Sequence, residues 1–485
     1  MLQGDDRDLM RVVREYLEHV NALSRQEQGT ERTPLGDLIS EHLGQDARGL
    51  PVVQELIADH RLVDADIALE HIAAETAGSL VGVTGGEPRL HSGMAELVSS
   101  AHFRFAPGPV DYAERATGPE SSRRVVAMGV RLLAHEGRPV VVVQRSATPQ
   151  TGRPSAALEV MGGDAATVSS FLERVRRLMI EHSVLRGQVL SFVPTEYGRD
   201  AGATFLTRPQ VAADEVILPD GLLDEVVQHV AGIGEHRELL EAAGQHLKRG
   251  VLLYGPPGTG KTLTVRHLLS RTESVTAVLL TGSGIRLIGA AAEIARTFQP
   301  SLVVLEDIDL VAMERHGSPQ PLLFEVLEAL DGLAGDADVA FVMTTNRADT
   351  LERALAQRPG RVDLAVEVPL PSTQERERLY RHYSRALPFS DEALRAAAAA
   401  TEGVTASFAK ELIRRSVLLA AAQDEEVADA HLTTALEDLT SARQRLTRSV
   451  LGAGPQEQDP GAFDGSGGGG WVAMTRGGAV LRPGP

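Results

Sequence analysis

One short stretch restricts the fold more than any other. Residues 255–262 read Gly-Pro-Pro-Gly-Thr-Gly-Lys-Thr. The apolar run Val251-Leu252-Leu253-Tyr254 precedes them, and a helical pattern of Leu263, Val265, Leu268 and Leu269 follows. Strand, glycine-rich turn, helix is an order that few folds accommodate. Residues without a Cβ let successive backbone N–H groups turn toward one anion, and a helix that starts directly afterwards adds partial positive charge. Gly255, Pro256, Pro257, Gly258, Thr259, Gly260, Lys261, Thr262 and Leu263 are therefore the expected phosphate cradle.

Charge usage supports that reading. The chain contains three lysines, Lys248, Lys261 and Lys410, and arginine supplies nearly all its other positive charge. Keeping a Lys inside the glycine-rich loop fits a place where a compact ammonium is wanted and a planar guanidinium is not. Lys261 is expected to reach the β- and γ-phosphates of ATP, and Thr262 to ligate Mg²⁺. Further on, Leu302-Val303-Val304-Leu305-Glu306-Asp307 reads as a buried strand ending in two acids. Glu306 is expected to hold Mg²⁺ through water and Asp307 to polarise the attacking water.

The remaining chain divides by pattern. Residues 1–95 read as a helical region, with candidate helices at 1–24, Pro34–Leu43 and Val52–Ala74 and a glycine-rich loop around Gly82–Gly93. Residues 96–210 read as α+β. Strands are expected at Val125–Leu133 and Pro139–Gln144, joined by His135-Glu136-Gly137-Arg138, then a helix at Ala165–Ile180 and a strand at Val189–Val193. Over 211–371, apolar runs at 251–254, 275–280, 302–306, 339–345 and 364–368 alternate with helical stretches, which implies a parallel sheet covered on both faces. Residues 372–450 read as helices alone. The stretch 451–485 is rich in Gly and Pro and is expected to stay disordered. Trp471 within it reads as a solvated residue or a docking anchor.

Composition bounds the chemistry. With 485 residues the chain has room for about three ordinary domains. The absence of cysteine excludes disulfides, thiol catalysis and thiolate metal sites. No His-Glu-x-x-His motif occurs. A formal net charge of -18 argues against nucleic acid as a partner. No apolar run is long enough for a transmembrane helix, and the N-terminus lacks a signal-peptide pattern, so the expected location is the cytoplasm with no membrane partner.

Beyond these two motifs, Leu330-Asp331-Gly332-Leu333, Thr344-Thr345-Asn346-Arg347 and Arg358-Pro359-Gly360-Arg361-Val362-Asp363 make residues 215–447 resemble the AAA+ ATPases, and within them the AAA branch. The resemblance implies an α/β fold: a three-layer P-loop module with a parallel sheet in the order 5-1-4-3-2 and an α-helical lid, here preceded by a helical and α+β N-terminal region. It also implies an ATPase. Asn346 would be the sensor that orients the lytic water. Arg358 and Arg361 would be fingers reaching the γ-phosphate bound to a neighbouring subunit, so a homo-oligomeric ring, most often a hexamer, is implied. Gly403-Val404-Thr405-Ala406-Ser407 matches a lid stretch that lies against the nucleotide, with Ala406 and Ser407 replacing the usual Gly-Ala.

Three departures bear on function. The strand end reads Glu306-Asp307 where the family commonly has Asp-Glu, an order that a mitochondrial inner-membrane translocase of the family shares. The acid expected to activate water is thus one methylene short, which implies slow hydrolysis. At the central-pore position, Arg286-Leu287-Ile288-Gly289 lacks the aromatic residue of protein-threading relatives, and Leu287 and Ile288 either grip weakly or pack. The final Leu-Arg-Pro-Gly-Pro lacks the hydrophobic-Tyr ending by which proteasomal ATPases dock. The expected activity is a chaperone-like protein remodeller acting on an unknown client chosen by the N-terminal region. The alternatives are a nucleotide-gated assembly scaffold and, third, a nucleic-acid motor.

Overall fold

The computed structural model describes residues 31–148, 153, 155–194, 201–309, 337–347 and 362–441. The expected helix at 1–24, the Leu330–Leu333 motif, Arg358, Arg361 and Trp471 lie outside them.

Two seven-stranded sheets organise the described residues. The first is antiparallel and comprises β1 (Val52–Ile57), β2 (Ser79–Thr84), β3 (Ala106–Gly108), β4 (Asp111–Ala116), β5 (Ser122–His135), β6 (Arg138–Arg145) and β7 (Ala156–Gly162). Its order is β1-β7-β6-β5-β2-β3, with β4 also on β5. Glu136 (φ 50) and Gly137 (φ 77) join β5 to β6. Two successive positive φ values make the tight turn whose twist suits a hairpin.

The first sheet is covered on both faces. Along β6, Val140 and Val142 face helices α2 (Leu62–Thr76) and α4 (Ala165–Glu181). Val141 and Val143 face α1 (Pro34–Leu43) and α3 (Met94–Val98). This period of two explains why β6 reads as an unbroken apolar run.

The expected helix over Val52–Ala74 is corrected at its start. Val52–Ile57 is an edge strand paired with β7, from Val52 opposite Met161 to Ile57 opposite Ala156, and the helix begins at Leu62. The β-branched pair Val52-Val53 favours that pairing. With β2 also inside 1–95, this stretch is not purely helical.

The second sheet comprises β8 (Val189–Pro194), β9 (Ala201–Leu206), β10 (Arg249–Tyr254), β11 (Thr276–Thr281), β12 (Ser301–Glu306), β13 (Val339–Thr345) and β14 (Leu364–Glu367). Its order is β14-β10-β13-β12-β11-β8-β9. Strands β10 to β14 run parallel and reproduce the expected order 5-1-4-3-2. Helices cover both faces. Val251 and Leu253 of β10 pack with Val265, Leu268 and Leu269 of α5 (Lys261–Arg271). Leu252 packs on the side of α6 (Ile288–Thr297).

Strand β8, grouped by sequence with the N-terminal region, instead extends this sheet as a parallel neighbour of β11, and β9 returns antiparallel. Two causes are visible. Leu190 and Phe192 share a core with Val278 and Leu280. The guanidinium of Arg208, just past β9, donates to the carbonyls of Leu269, Thr272, Gly187 and Val275 and so ties the hairpin to the end of α5.

The pore-position residues pack. Ile288 is 3 % exposed, and Leu287 lies against the same core. Four helices follow the sheet: α7 (Thr373–Ser384), α8 (Asp391–Ala400), α9 (Ala406–Gln423) and α10 (Asp429–Thr440). They bury Leu379, Tyr380, Phe408, Leu412 and Leu432 together, and Ile217 joins them from the segment before β10. Among the described residues no helix is long and apolar enough to cross a membrane.

Candidate functional site

The loop after β10 owes its shape to its glycines. Gly255 has φ 144, and a Cβ there would lie 2.2 Å from the Val368 carbonyl oxygen. Gly258 has φ 77, and a Cβ there would lie 2.7 Å from Ser407 Oγ, at the start of α9. The Ser407 N–H also donates to the Gly258 carbonyl at 3.2 Å, so the helical segment touches the loop directly. Gly260 then caps α5, whose first N–H groups have no partners within the helix.

Lys261 is 5 % exposed, and its ammonium donates to the Gly255 and Pro256 carbonyls, each at 2.8 Å. Burial pushes it down to about 8, while Asp307 and Asp309 pull the other way. Thr259 closes the loop from inside, its hydroxyl donating to the Pro256 carbonyl at 3.0 Å.

The ends of β12 and β13 supply the acids and the amide. The Thr262 hydroxyl stands beside the Glu306 carboxylate and opposes the rise of its pKa. Burial pushes the Glu306 carboxyl up, and Glu306 Oε1 is buried without a hydrogen-bond partner. Asp307 sits at φ 52, a left-handed conformation that a side-chain-bearing residue rarely adopts. Its N–H donates to Thr344 Oγ1 at 3.0 Å, and its Oδ1 accepts from Asn346 Nδ2 at 3.2 Å. Buried Asp309 accepts from the Thr345 hydroxyl at 2.9 Å and the Asn346 N–H at 3.1 Å.

Lys261, Asp307 and Asn346 open onto one cavity of about 400 Å³. Of the residues expected from sequence, Pro257 to Leu263, Asp307, Asn346 and Ala406 line it. Gly255 and Pro256 act behind it as acceptors for Lys261, and Glu306 stands behind Thr262. Arg358 and Arg361 are outside the described residues.

Sequence reasoning missed several contributors. Arg266, one turn after Thr262, and Lys410, one turn after Ala406, also line the cavity, as do Leu379 and Tyr383, one turn apart on α7. All three pairs are spaced i, i+4, so helical phase was the available signal. Val216, Ile217 and Leu218 also line the cavity, and Ile217 packs with helices α7 to α10. Nothing in their sequence distinguishes them from an ordinary apolar run. Asp309 also escaped notice, since an acid just past a strand end reads as a solvated residue.

A family model, described as the ATPase family associated with various cellular activities (AAA), matches residues 251–370. The chain is 30% identical over 254 residues to proteasome-activating nucleotidase 1 of Halobacterium salinarum, covering 49% of this chain and 61% of that protein. It is 28% identical over 280 residues to the proteasome-activating nucleotidase of Thermococcus onnurineus, covering 54% of this chain and 70% of that protein. It is 29% identical over 222 residues to the 26S proteasome regulatory subunit 6A of Encephalitozoon cuniculi, covering 42% of this chain and 55% of that protein. The chain thus spans about three fifths of the length of the first of these relatives.

Proposed function

From the match of residues 251–370 to the AAA family model, we propose that this chain is an AAA ATPase that binds ATP with Mg²⁺ and hydrolyses it to drive the remodelling of protein partners. The observation that carries this reading is the convergence of Lys261, Asp307 and Asn346, from the ends of β10, β12 and β13, on one cavity. Open α/β sheets bind ligands at the carboxyl ends of their strands.

Each residue has a share in the reading. Lys261 trades its carbonyl partners for phosphate oxygens. The free N–H groups at the start of α5 face the same phosphates. Thr262 and Glu306 suit Mg²⁺: both offer oxygen, the donor type a hard cation takes, and Glu306 Oε1 is buried with no partner of its own. When bound, the ion neutralises phosphate charge. Asp307 accepts a proton from the attacking water, and Asn346 orients it by holding Oδ1. Arg358 and Arg361 complete the site from a second copy of the chain in a ring. The relatives' names point to protein rather than nucleic acid as the partner class, in line with the net charge of -18.

The test is phosphate release from Mg²⁺-ATP by the purified full chain. Wild type turns over slowly. Asp307→Asn keeps ATP binding but loses about 10²–10⁴-fold in rate, the usual share of a general base. A wild-type chain with no turnover contradicts the reading.

A second reading draws on specific observations. The shortened acid at 307 and the packed Leu287 and Ile288 favour a nucleotide-gated scaffold over a threading machine. Light scattering with ATP, with ADP and without nucleotide separates the two. Assembly indifferent to nucleotide excludes the scaffold.

A further inference from the structure

Asp309 stands outside the roles assigned so far. It is 6 % exposed, two positions beyond the acid assigned to water activation. A single oxygen, Oδ1, accepts both the Thr345 hydroxyl at 2.9 Å and the Asn346 N–H at 3.1 Å. Thr345 is fully buried, and its hydroxyl oxygen in turn accepts the Arg347 N–H at 3.0 Å. Asp309 therefore holds three successive residues where β13 ends: Thr345 and Asn346 directly, Arg347 through Thr345.

Direction is what this clamp supplies. The amide of Asn346 has a short lever, so its Nδ2 reaches Asp307 Oδ1 at 3.2 Å only if the backbone at 346 is fixed. Asp307, in turn, is held in a left-handed conformation, with Thr344 accepting its N–H. The two strand ends are thus interlocked by four hydrogen bonds, of which two end on Asp309.

We propose that Asp309 is a positioning residue for ATP hydrolysis: its buried carboxylate fixes the end of β13 so that Asn346 presents its amide to the Asp307 carboxylate. The proposal rests on the hydrolysis reading above. A shift of about 1 Å in such a group can cost about 10²-fold in rate. Removing the clamp should lower kcat while leaving the phosphate cradle, and hence nucleotide binding, in place.

The test is a double-mutant cycle in the full chain. Phosphate release gives kcat and KM, and a fluorescent ADP analogue gives affinity. Asp309→Ala is expected to lower kcat by about 10- to 100-fold with ADP affinity within about 3-fold of wild type. In an Asn346→Ala background the same change should cost less than about 3-fold, because both act through one contact. Asp309→Asn retains an acceptor oxygen and should recover most of the lost rate. If wild type hydrolyses ATP but the losses simply add, or Asp309→Ala lowers only the melting temperature, the role of Asp309 is overturned. If wild type releases no phosphate, the hydrolysis reading falls and this role falls with it.

Discussion

Replacing Gly258 by alanine probes the contact between the loop at 255–262 and the start of α9. Gly258 has φ 77, and a left-handed conformation costs a residue with a Cβ about 1–2 kcal/mol. The added methyl would stand 2.7 Å from Ser407 Oγ, 3.1 Å from Ser407 Cβ and 3.2 Å from Thr405 Oγ1. The free loop escapes by changing conformation, which also breaks the Ser407 N–H bond to the Gly258 carbonyl. Binding a nucleotide must then restore the strained shape. At about 1.4 kcal/mol per tenfold, the conformational cost alone weakens binding by about 5- to 30-fold. Equilibrium titration with a fluorescent ADP analogue measures this. Ser407→Ala added to Gly258→Ala removes the nearest clash and should recover part of the loss. Should Gly258→Ala bind ADP as wild type does, the loop does not use this conformation to hold phosphates.

Two further predictions follow from charge and packing. Burial pushes the Lys261 ammonium down to about 8 from its ordinary 10.5, so it releases its proton as pH rises through that value. Only the charged form attracts phosphate, and ADP affinity should therefore fall above about pH 8, by at most about tenfold per unit, in the same fluorescent-analogue titration repeated across that range; an affinity that stays flat there contradicts it. Arg208→Ala strips donors from four carbonyls at the seam between the β8–β9 hairpin and α5. It should lower unfolding stability by about 2–4 kcal/mol in a denaturant titration: the seam is only part-buried and the Thr272 carbonyl keeps the Val275 N–H, so the loss is that of about two unpaired groups at about 1–3 kcal/mol each rather than four.

How much of this was legible in the sequence depended on whether the signal was local. The glycine-rich loop, the five parallel strands and the choice of Thr262, Glu306, Asp307 and Asn346 as site residues all follow from short motifs or apolar runs. The helix at Pro34–Leu43 was also legible, because Thr33 caps it and a proline starts it. Val52–Ile57 was not, since its choice of strand depends on β7, some hundred residues later in the chain. The same is true of β8, whose place beside β11 is settled by a shared core and by Arg208. At the site, residues one helical turn from a motif, Arg266 and Lys410, were open to a phase argument. Asp309 was not, because its importance lies in which backbone it meets.

The loop at 255–262 and the acids behind it are proposed to form one working nucleotide site. Lys261 is the group on which both binding and turnover are proposed to converge, and its ammonium is already held within the loop by two carbonyls. The most direct measurement compares ATP binding and phosphate release for wild type and Lys261→Ala under identical Mg²⁺. Wild type is expected to bind and slowly hydrolyse ATP, and Lys261→Ala to do neither to a measurable degree. Equal binding and equal phosphate release by the two chains would contradict it.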